Sequence, residues 1–213
     1  MWQALAVNSK DLDEISFQDH DEPGTVKILD QLIAIWAQNN PDKDPLSRKQ
    51  IALRHTGGRG FRCSTASTAS AIVGYAYGLY HTPGMRLVLD PTGTKATPVI
   101  GSHDLIIDQE MKKLPPGGQS EIHTPWLSAY DIGEVQVLAG YRGLGIGETL
   151  VRRLCRSLPA DDRVVLIVEP DNAVARRVYE RVGFKNLYGN PVTTFLPPYV
   201  PQIVMGLERA GDA

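Results

Sequence analysis

The residues from Glu134 to Leu150 hold the densest chemistry in the chain. An apolar segment runs into Arg142, Gly143, Leu144, Gly145, Ile146 and Gly147, and a helical pattern follows. A strand that turns through glycines into a helix lets backbone amides approach a ligand closely. The helix start adds amides without intrahelical partners and the positive end of its dipole. Such a turn suits a phosphate or pyrophosphate. Spacing separates the folds that use it. A dinucleotide fingerprint needs Gly-x-Gly-x-x-Gly, yet the sixth position from Gly143 is Glu148 and from Gly145 it is Leu150. A P-loop needs Gly-Lys and then Ser or Thr, and Gly147 is followed by Glu148. Both patterns fail, which counts against a nucleotide-binding oxidoreductase. A tight strand-to-helix turn without ligand fits the same glycines.

Arg142-Gly143-Leu144-Gly145-Ile146-Gly147 resembles the Arg/Gln-x-x-Gly-x-Gly/Ala signature of the GNAT superfamily of acyl-CoA-dependent N-acyltransferases. The segment before it, Glu134-Val135-Gln136-Val137, resembles that family's central strand. Downstream, Asn172, Ala175, Tyr179, Gly183 and Phe184 resemble its second motif, Asn-x-x-Ala-x-x-x-Tyr-x-x-x-Gly-Phe. The likeness runs from Glu134 to Phe184. It extends to Phe61–Tyr80, where Gly74-Tyr75-Ala76-Tyr77-Gly78 looks like the family's third strand, and does not reach the stretch at about 82–128. The resemblance implies an α/β fold with a mixed, largely antiparallel central sheet flanked by helices and splayed at a cofactor cleft. It implies an N-acetyltransferase that uses acetyl-CoA as co-substrate, with direct attack by a small-molecule or peptide amine in a ternary complex. The cofactor would lie against the backbone of Val135 and Val137, the turn residues Arg142, Gly143, Leu144, Gly145, Ile146 and Gly147, and Asn172.

Acyl transfer to an amine needs a neutral nucleophile, a donor for the developing oxyanion and a proton for the leaving thiolate. By the resemblance, Glu134 is the candidate base, eight positions before Arg142. The same glutamate fits a solvent-facing or salt-bridged strand residue. Asp131 has the right chemistry, but its odd spacing from Glu134 puts it on the opposite face of a regular strand. Tyr179 is the candidate acid by the resemblance, or else an aromatic core residue. Val137 would offer its amide to the thioester carbonyl, or simply pack. Asn172 can cap a helix and, by resemblance, contact the pantetheine. Arg176 and Arg177 fit either the phosphates of coenzyme A or a solvated helix face. Asp19, Asp21 and Glu22 fit either attraction of a cationic amine or a solvated loop. A non-catalytic acyl-CoA-binding or regulatory module would keep the glycine turn and lack the base and acid; both are present here.

The elements that position these residues read as follows. Trp2–Val7 is a candidate first strand. Ile28, Leu29, Leu32, Ile33 and Trp36 share one helical face, with Thr25 as cap and Asn39, Asn40 and Pro41 as the stop. Ser47 and Gln50 form a capping-box pattern for a second helix. Phe61–Ala66 and Ala71–Tyr80 read as paired strands. The stretch 82–128, rich in Pro and Gly, reads as an insertion within a single domain of 1–213, with a helix around Leu105–Leu114. His123, Trp126 and Tyr130 could line an acceptor pocket. Tyr130–Leu138 reads as a strand. Leu150, Val151, Leu154 and Leu158 mark a helix, Val164–Val168 a strand, Asn172–Val182 a helix closed by Gly183, and Val200–Leu207 a last strand.

Composition bounds the rest. The 213 residues carry 22 Lys plus Arg against 24 Asp plus Glu, a net charge of −2, and 42% are apolar. That supports a packed core and argues against a dedicated nucleic-acid binder. No apolar run approaches the ~20 residues of a membrane helix, so no membrane partner is expected. Met1–Lys10 lacks the features of a signal peptide, and a cytoplasmic protein is expected. Cys63 and Cys155 read as buried free thiols. His20, His103 and His123 are too scattered for a metal site, so none is expected. A homodimer is left open.

Overall fold

Large rings and small residues alternate along Ile72–Tyr80, so this strand offers two unlike faces, and each recruits its own helix. The computed structural model describes residues 15–80, 84–89, 96–101, 119–120, 129–187, 191–194 and 201–207. In chain order the elements are β1 (Ser16–His20), α1 (Glu22–Asn39), α2 (Pro45–Thr56), β2 (Arg62–Ser67), β3 (Ile72–Tyr80), β4 (Gly84–Leu89), β5 (Ala96–Gly101), β6 (Gln119–Ser120) and β7 (Tyr130–Val137). A 3₁₀ turn (Ala139–Tyr141), α3 (Ile146–Arg156), β8 (Val164–Val168), α4 (Ala173–Val182), β9 (Lys185–Asn186), β10 (Val192–Thr194) and β11 (Pro201–Leu207) follow. The result is a mixed α/β fold with mostly antiparallel pairing, as the sequence implies. The chain divides into two compact units, Met1–Leu79 with Ile132–Ala160, and Tyr80–Asp131 with Asp161–Ala213.

In the first unit β1 pairs antiparallel with β2, β2 pairs antiparallel with β3, and β7 lies next to β3. Tyr75, Tyr77 and Leu79 of β3 join Leu32 and Ile35 of α1, with Phe61 and Cys63, in one buried cluster. Leu29, Ile33 and Ala52 pack α1 against α2. On the opposite face of β3, a Cβ at Gly74 would lie 3.0 Å from the Gln136 carbonyl and 3.4 Å from Ile146 Cγ2. Glycine there lets the strand, β7 and α3 come together. Leu150, Val151 and Leu154 of α3 are at most 1% exposed. Burying such side chains stabilises by about 1.5–3 kcal/mol each.

In the second unit Tyr130 and Asp131 pair parallel with Val164 and Val165 of β8. β8 pairs antiparallel with β11, which also pairs antiparallel with β9 and β10. β10 runs parallel to β5, and β4 pairs antiparallel with both β5 and β6. Gly183 closes α4 at φ +119°, a left-handed conformation that favours glycine.

Four local expectations change. The cap of α1 is Asp21, whose carboxylate accepts from the Gly24 amide at 2.9 Å. Thr25 lies inside the helix, buried, and donates its hydroxyl to the Asp21 carbonyl at 2.8 Å. Asp44, not Ser47, caps α2, accepting from the amides of Leu46 and Ser47. Each aspartate precedes a proline-bearing first turn, where a carboxylate also favours the positive helix end. Within 82–128, the stretch read as an insertion with no strand assigned, β4, β5 and β6 are paired strands. Trp2–Val7, the helix at Leu105–Leu114, His123 and Trp126 lie outside the described residues. Tyr130 is fully buried, its ring edge-on to Tyr80 at 5.2 Å, so it is a core residue of the second unit rather than an open pocket wall.

Candidate active site

The glycine turn owes its shape to backbone geometry. Gly143 (φ +83°) and Gly145 (φ +77°) are left-handed, and a Cβ on either would meet nothing within 4 Å. Side chains rarely adopt this conformation, so glycine is required by the turn itself as well as by any ligand. Gly145 is the N-cap of α3 and offers no side chain to its amides. The first intrahelical bond runs from the Thr149 amide to the Gly145 carbonyl at 2.9 Å. The amides of Ile146 and Gly147 therefore lack an acceptor within the helix. Open space over bare amides at a helix start fits a pyrophosphate. Ile146 is buried, so only its backbone can serve a ligand; Leu144 is exposed beside the turn.

Arg142 braces this turn. Its Nε donates to the Val137 carbonyl at 3.1 Å, and its Nη2 donates to Asn39 Oδ1 at 2.6 Å. The Val137 carbonyl also accepts from Asn39 Nδ2 at 3.1 Å. Val137 Cγ2 lies 3.8 Å from where a Cβ on Gly147 would be, so its side chain packs under the start of α3. Val135 is half-buried on the same strand.

Glu134 lies on β7 with 12% of its side chain exposed. Its Oε1 accepts from Gln136 Nε2 at 2.7 Å, and its Oε2 is ion-paired with Arg48 of α2. The salt-bridged reading of this glutamate is thus realised. Arg48 also donates to the Tyr77 hydroxyl at 2.9 Å, with its guanidinium 5.9 Å from the Trp36 ring centroid. The Tyr77 hydroxyl lies 3.2 Å from His55 Nδ1. Arg48 can only donate, so the Tyr77 oxygen is the acceptor of that bond. Arg48, His55 and Asn39 lie in no motif, and Tyr77 and Gln136 lie in strand segments that resemble the family without being singled out there. Gln136 alone had a local signal, two residues from Glu134 and so on the same strand face.

Asn172 and Tyr179 belong to the second unit. Asn172 caps α4 as expected, its Oδ1 accepting from the Ala175 amide at 3.1 Å. Tyr179 is buried, with its ring 6.1 Å from Phe184, and burial pushes its phenol up to about 12. It therefore stays protonated at neutral pH, the form a proton donor needs. Arg176 donates to the Pro170 carbonyl at 3.2 Å, and Arg177 is exposed.

Other candidates have structural work. Asp19 accepts from Ser64 and, at two points, from Arg153 at 3.1 and 2.7 Å. Burial alone would raise its carboxyl, but these bonds outweigh burial and hold it below its ordinary value. Asp21 caps α1. Neither is poised to attract an amine. Cys63 and Cys155 are buried free thiols, and burial pushes Cys63 up to about 12, which leaves it unreactive. Among the described residues no group of three His, Cys, Asp or Glu could hold a metal, and no helix is long and apolar enough to cross a membrane.

Residues 29–184 match the Acetyltransferase (GNAT) family. The match takes in both the glycine turn and the Tyr179 helix and covers most of the chain, which therefore belongs to this family of acyl-CoA-dependent N-acetyltransferases. The fold is similar to that of a GNAT-family acetyltransferase from Bacillus cereus ATCC 10987, at 12% identity over 92% of this chain and 98% of that one, with a TM-score of 0.55. It is similar to the ribosomal-protein-alanine N-acetyltransferase from Brucella melitensis (17% identity, 91% and 99% coverage, TM-score 0.54). It is also similar to Arabidopsis thaliana NAA60, solved with a bisubstrate analogue (16% identity, 92% and 99% coverage, TM-score 0.55). At these identities the likeness is one of fold. No curated protein matches the sequence.

Proposed function

We propose that this acetyltransferase moves the acetyl group of acetyl-CoA to a primary amine of a small molecule, by direct attack in a ternary complex. The observation that carries the reading is the left-handed glycine turn ending in the uncapped start of α3, in a chain of this family. The amides of Ile146 and Gly147 would hold the pyrophosphate, with Asn172 and the strand backbone at Val135 and Val137 toward the pantetheine. The co-substrate supplies an activated thioester. Glu134 takes a proton from the acceptor ammonium, directly or through water, and the neutral amine attacks the thioester carbonyl. As the C–S bond breaks, the phenol of Tyr179 protonates the departing sulfur, and the second proton lost by the nitrogen restores the phenol, directly or through water. Buried thiols at Cys63 and Cys155 favour direct attack over a covalent enzyme intermediate. We expect the protein to act in the cytoplasm.

The Arg48 ion pair on Glu134 favours a second reading, in which Glu134 is a structural anion and the chain binds acyl-CoA without turnover. Calorimetric titration with acetyl-CoA, followed by a primary-amine panel that reads free thiol, separates the two. Binding with amine-dependent thiol release, lost on the order of 10²-fold in Glu134→Gln, supports the enzyme. Binding without release supports the module. No binding overturns both.

A further inference from the structure

Between the glycine turn and Glu134 lies a line of hydrogen bonds that no motif marks. Arg142 Nη2 donates to Asn39 Oδ1 at 2.6 Å. Asn39 Nδ2 donates to Gln136 Oε1 at 2.8 Å and to the Val137 carbonyl at 3.1 Å. Gln136 Nε2 then donates to Glu134 Oε1 at 2.7 Å. Chemistry dictates the direction of every link. A guanidinium only donates, so Asn39 must turn its oxygen to Arg142. That leaves its NH₂ for Gln136, whose oxygen must accept. The NH₂ of Gln136 then faces a carboxylate, which only accepts when ionised. Rotating either amide by half a turn would set donor against donor at one end and acceptor against acceptor at the other. The line therefore has one self-consistent arrangement, ending on a cation at the turn and an anion on β7. Asn39 is the last residue of α1, so that helix reaches both ends through a single side chain.

We propose that Asn39 is a positioning residue that holds Arg142 at the cofactor turn with its oxygen and, through Gln136, aligns Glu134 with its nitrogen. This rests on the reading of the turn as the seat of acetyl-CoA and of Glu134 as the proton acceptor. The two atoms of one amide thus serve two different steps, and substitutions can separate them. Asn39→Asp keeps an acceptor for Arg142 and removes the donor to Gln136. Gln136 is then free to turn its NH₂ to the new carboxylate, which would present its oxygen to Glu134. Asn39→Ala removes both functions. Gln136→Met leaves Asn39 on Arg142 and removes only the bond to Glu134.

The test measures acetyl-CoA affinity by calorimetry, turnover against one fixed panel of primary amines, and melting temperature. Asn39→Asp and Gln136→Met should keep acetyl-CoA affinity within about 2-fold while turnover falls on the order of 10- to 100-fold, the scale of a misaligned catalytic group. Asn39→Ala should lose turnover and also weaken acetyl-CoA binding by about 10-fold, the scale of one lost charge-assisted hydrogen bond. Unchanged turnover in Asn39→Asp overturns the proposal. So does parallel loss of affinity, turnover and melting temperature in all three variants, the mark of a merely structural side chain. If Asn39→Ala does not fold, Asn39→Asp and Gln136→Met decide alone. A wild type that fails to bind acetyl-CoA overturns both this proposal and the functional reading. A wild type that binds and turns over, beside an unaffected Asn39→Asp, overturns only the role of Asn39.

Discussion

Replacing Gly145 tests the cofactor turn, provided that backbone strain and ligand clash are kept apart. Gly145→Val confounds them. At φ +77° a β-branched residue is strained whatever the space around it. That strain costs about 1–2 kcal/mol, or about 2–8 °C of melting temperature at 2–4 °C per kcal/mol in a chain of this size. Asparagine tolerates the left-handed region far better, and nothing lies within 4 Å of the added Cβ. Gly145→Asn should therefore melt close to wild type while its side chain fills the space over the α3 amides. Gly147→Ala is the control of opposite sign. That residue has no left-handed φ, its Cβ would make an ordinary 3.8 Å contact with Val137 Cγ2, and alanine fits the family signature there. Alanine in place of glycine inside a helix stabilises by up to about 1 kcal/mol. Gly147→Ala should thus melt as high as wild type or a few degrees higher, with acetyl-CoA affinity kept. Gly145→Asn should lose at least about 10-fold in affinity, or about 1.4 kcal/mol. Calorimetry and thermal melts on the same samples give both quantities. Wild-type affinity in a well-folded Gly145→Asn would refute the placement of the pyrophosphate at this turn.

Three further perturbations follow from the same structure. Tyr179→Phe should lower turnover by ~10²-fold, as loss of a general acid does, with acetyl-CoA affinity unchanged. Its phenol is raised from 10.0 to about 12, so the folded state holds the proton longer than the unfolded chain. Wild-type stability measured against Tyr179→Phe should be flat below pH 10 and fall as the pH rises toward 12; no change with pH would contradict the buried phenol. Arg48→Met leaves the Glu134 carboxylate without its cation and should cost about 1–3 kcal/mol, partly recovered in the Arg48→Met/Glu134→Gln double variant, as denaturant unfolding would show. Asp19 sits below its ordinary 3.8, so its pairing with Arg153 contributes above that value and is lost as the pH falls through the folded one. Arg153→Met should cost up to about 1 kcal/mol at neutral pH, since Asp19 is half exposed. That difference should vanish in acid, and a difference that persists there would refute the assignment.

The parts of the molecule legible from the sequence are those whose physics is local. Val164–Val168, the α4 boundaries at Asn172 and Gly183, and the glycine turn each depend on residues within a few positions, and each lies where the pattern puts it. The helix caps show the limit of that logic. Thr25 and Ser47 are good capping residues, but Asp21 and Asp44 lie just before the prolines and bind the free amides first. The strands within 82–128 escaped for a different reason. β5 pairs parallel with β10, whose residues Val192–Thr194 are far along the chain, and its own Pro98 reads against a strand. Replacing roughly Thr82–Trp126 by a linker would therefore remove a neighbour of β10. The deletion would disturb the second unit as well as any acceptor site.

The candidate chemistry divides along the same line. The proposed cofactor turn is a run of consecutive residues, so it could be picked out in the sequence by its resemblance to the family signature. The surroundings of Glu134 are assembled by docking. Asn39 ends α1, Arg48 lies on α2 and Tyr77 on β3, and none has a sequence relation to a glutamate on β7. What brings them there is the packing of Leu32 and Ile35 on the ring-bearing face of β3 and of Leu29 and Ile33 on Ala52. The alternation of rings and glycines in β3 thus bears at one remove on the surroundings of Glu134. It sets where α1 and α2 lie: α2 brings the Arg48 guanidinium to one oxygen of Glu134, and α1 brings Asn39, which bonds Gln136, the donor to the other oxygen. An amine reaching that carboxylate must share it with Arg48 or displace it. On the proposed reading of Glu134 as the base, α2 through Arg48 and α1 through Asn39 and Gln136 thus bear on its availability.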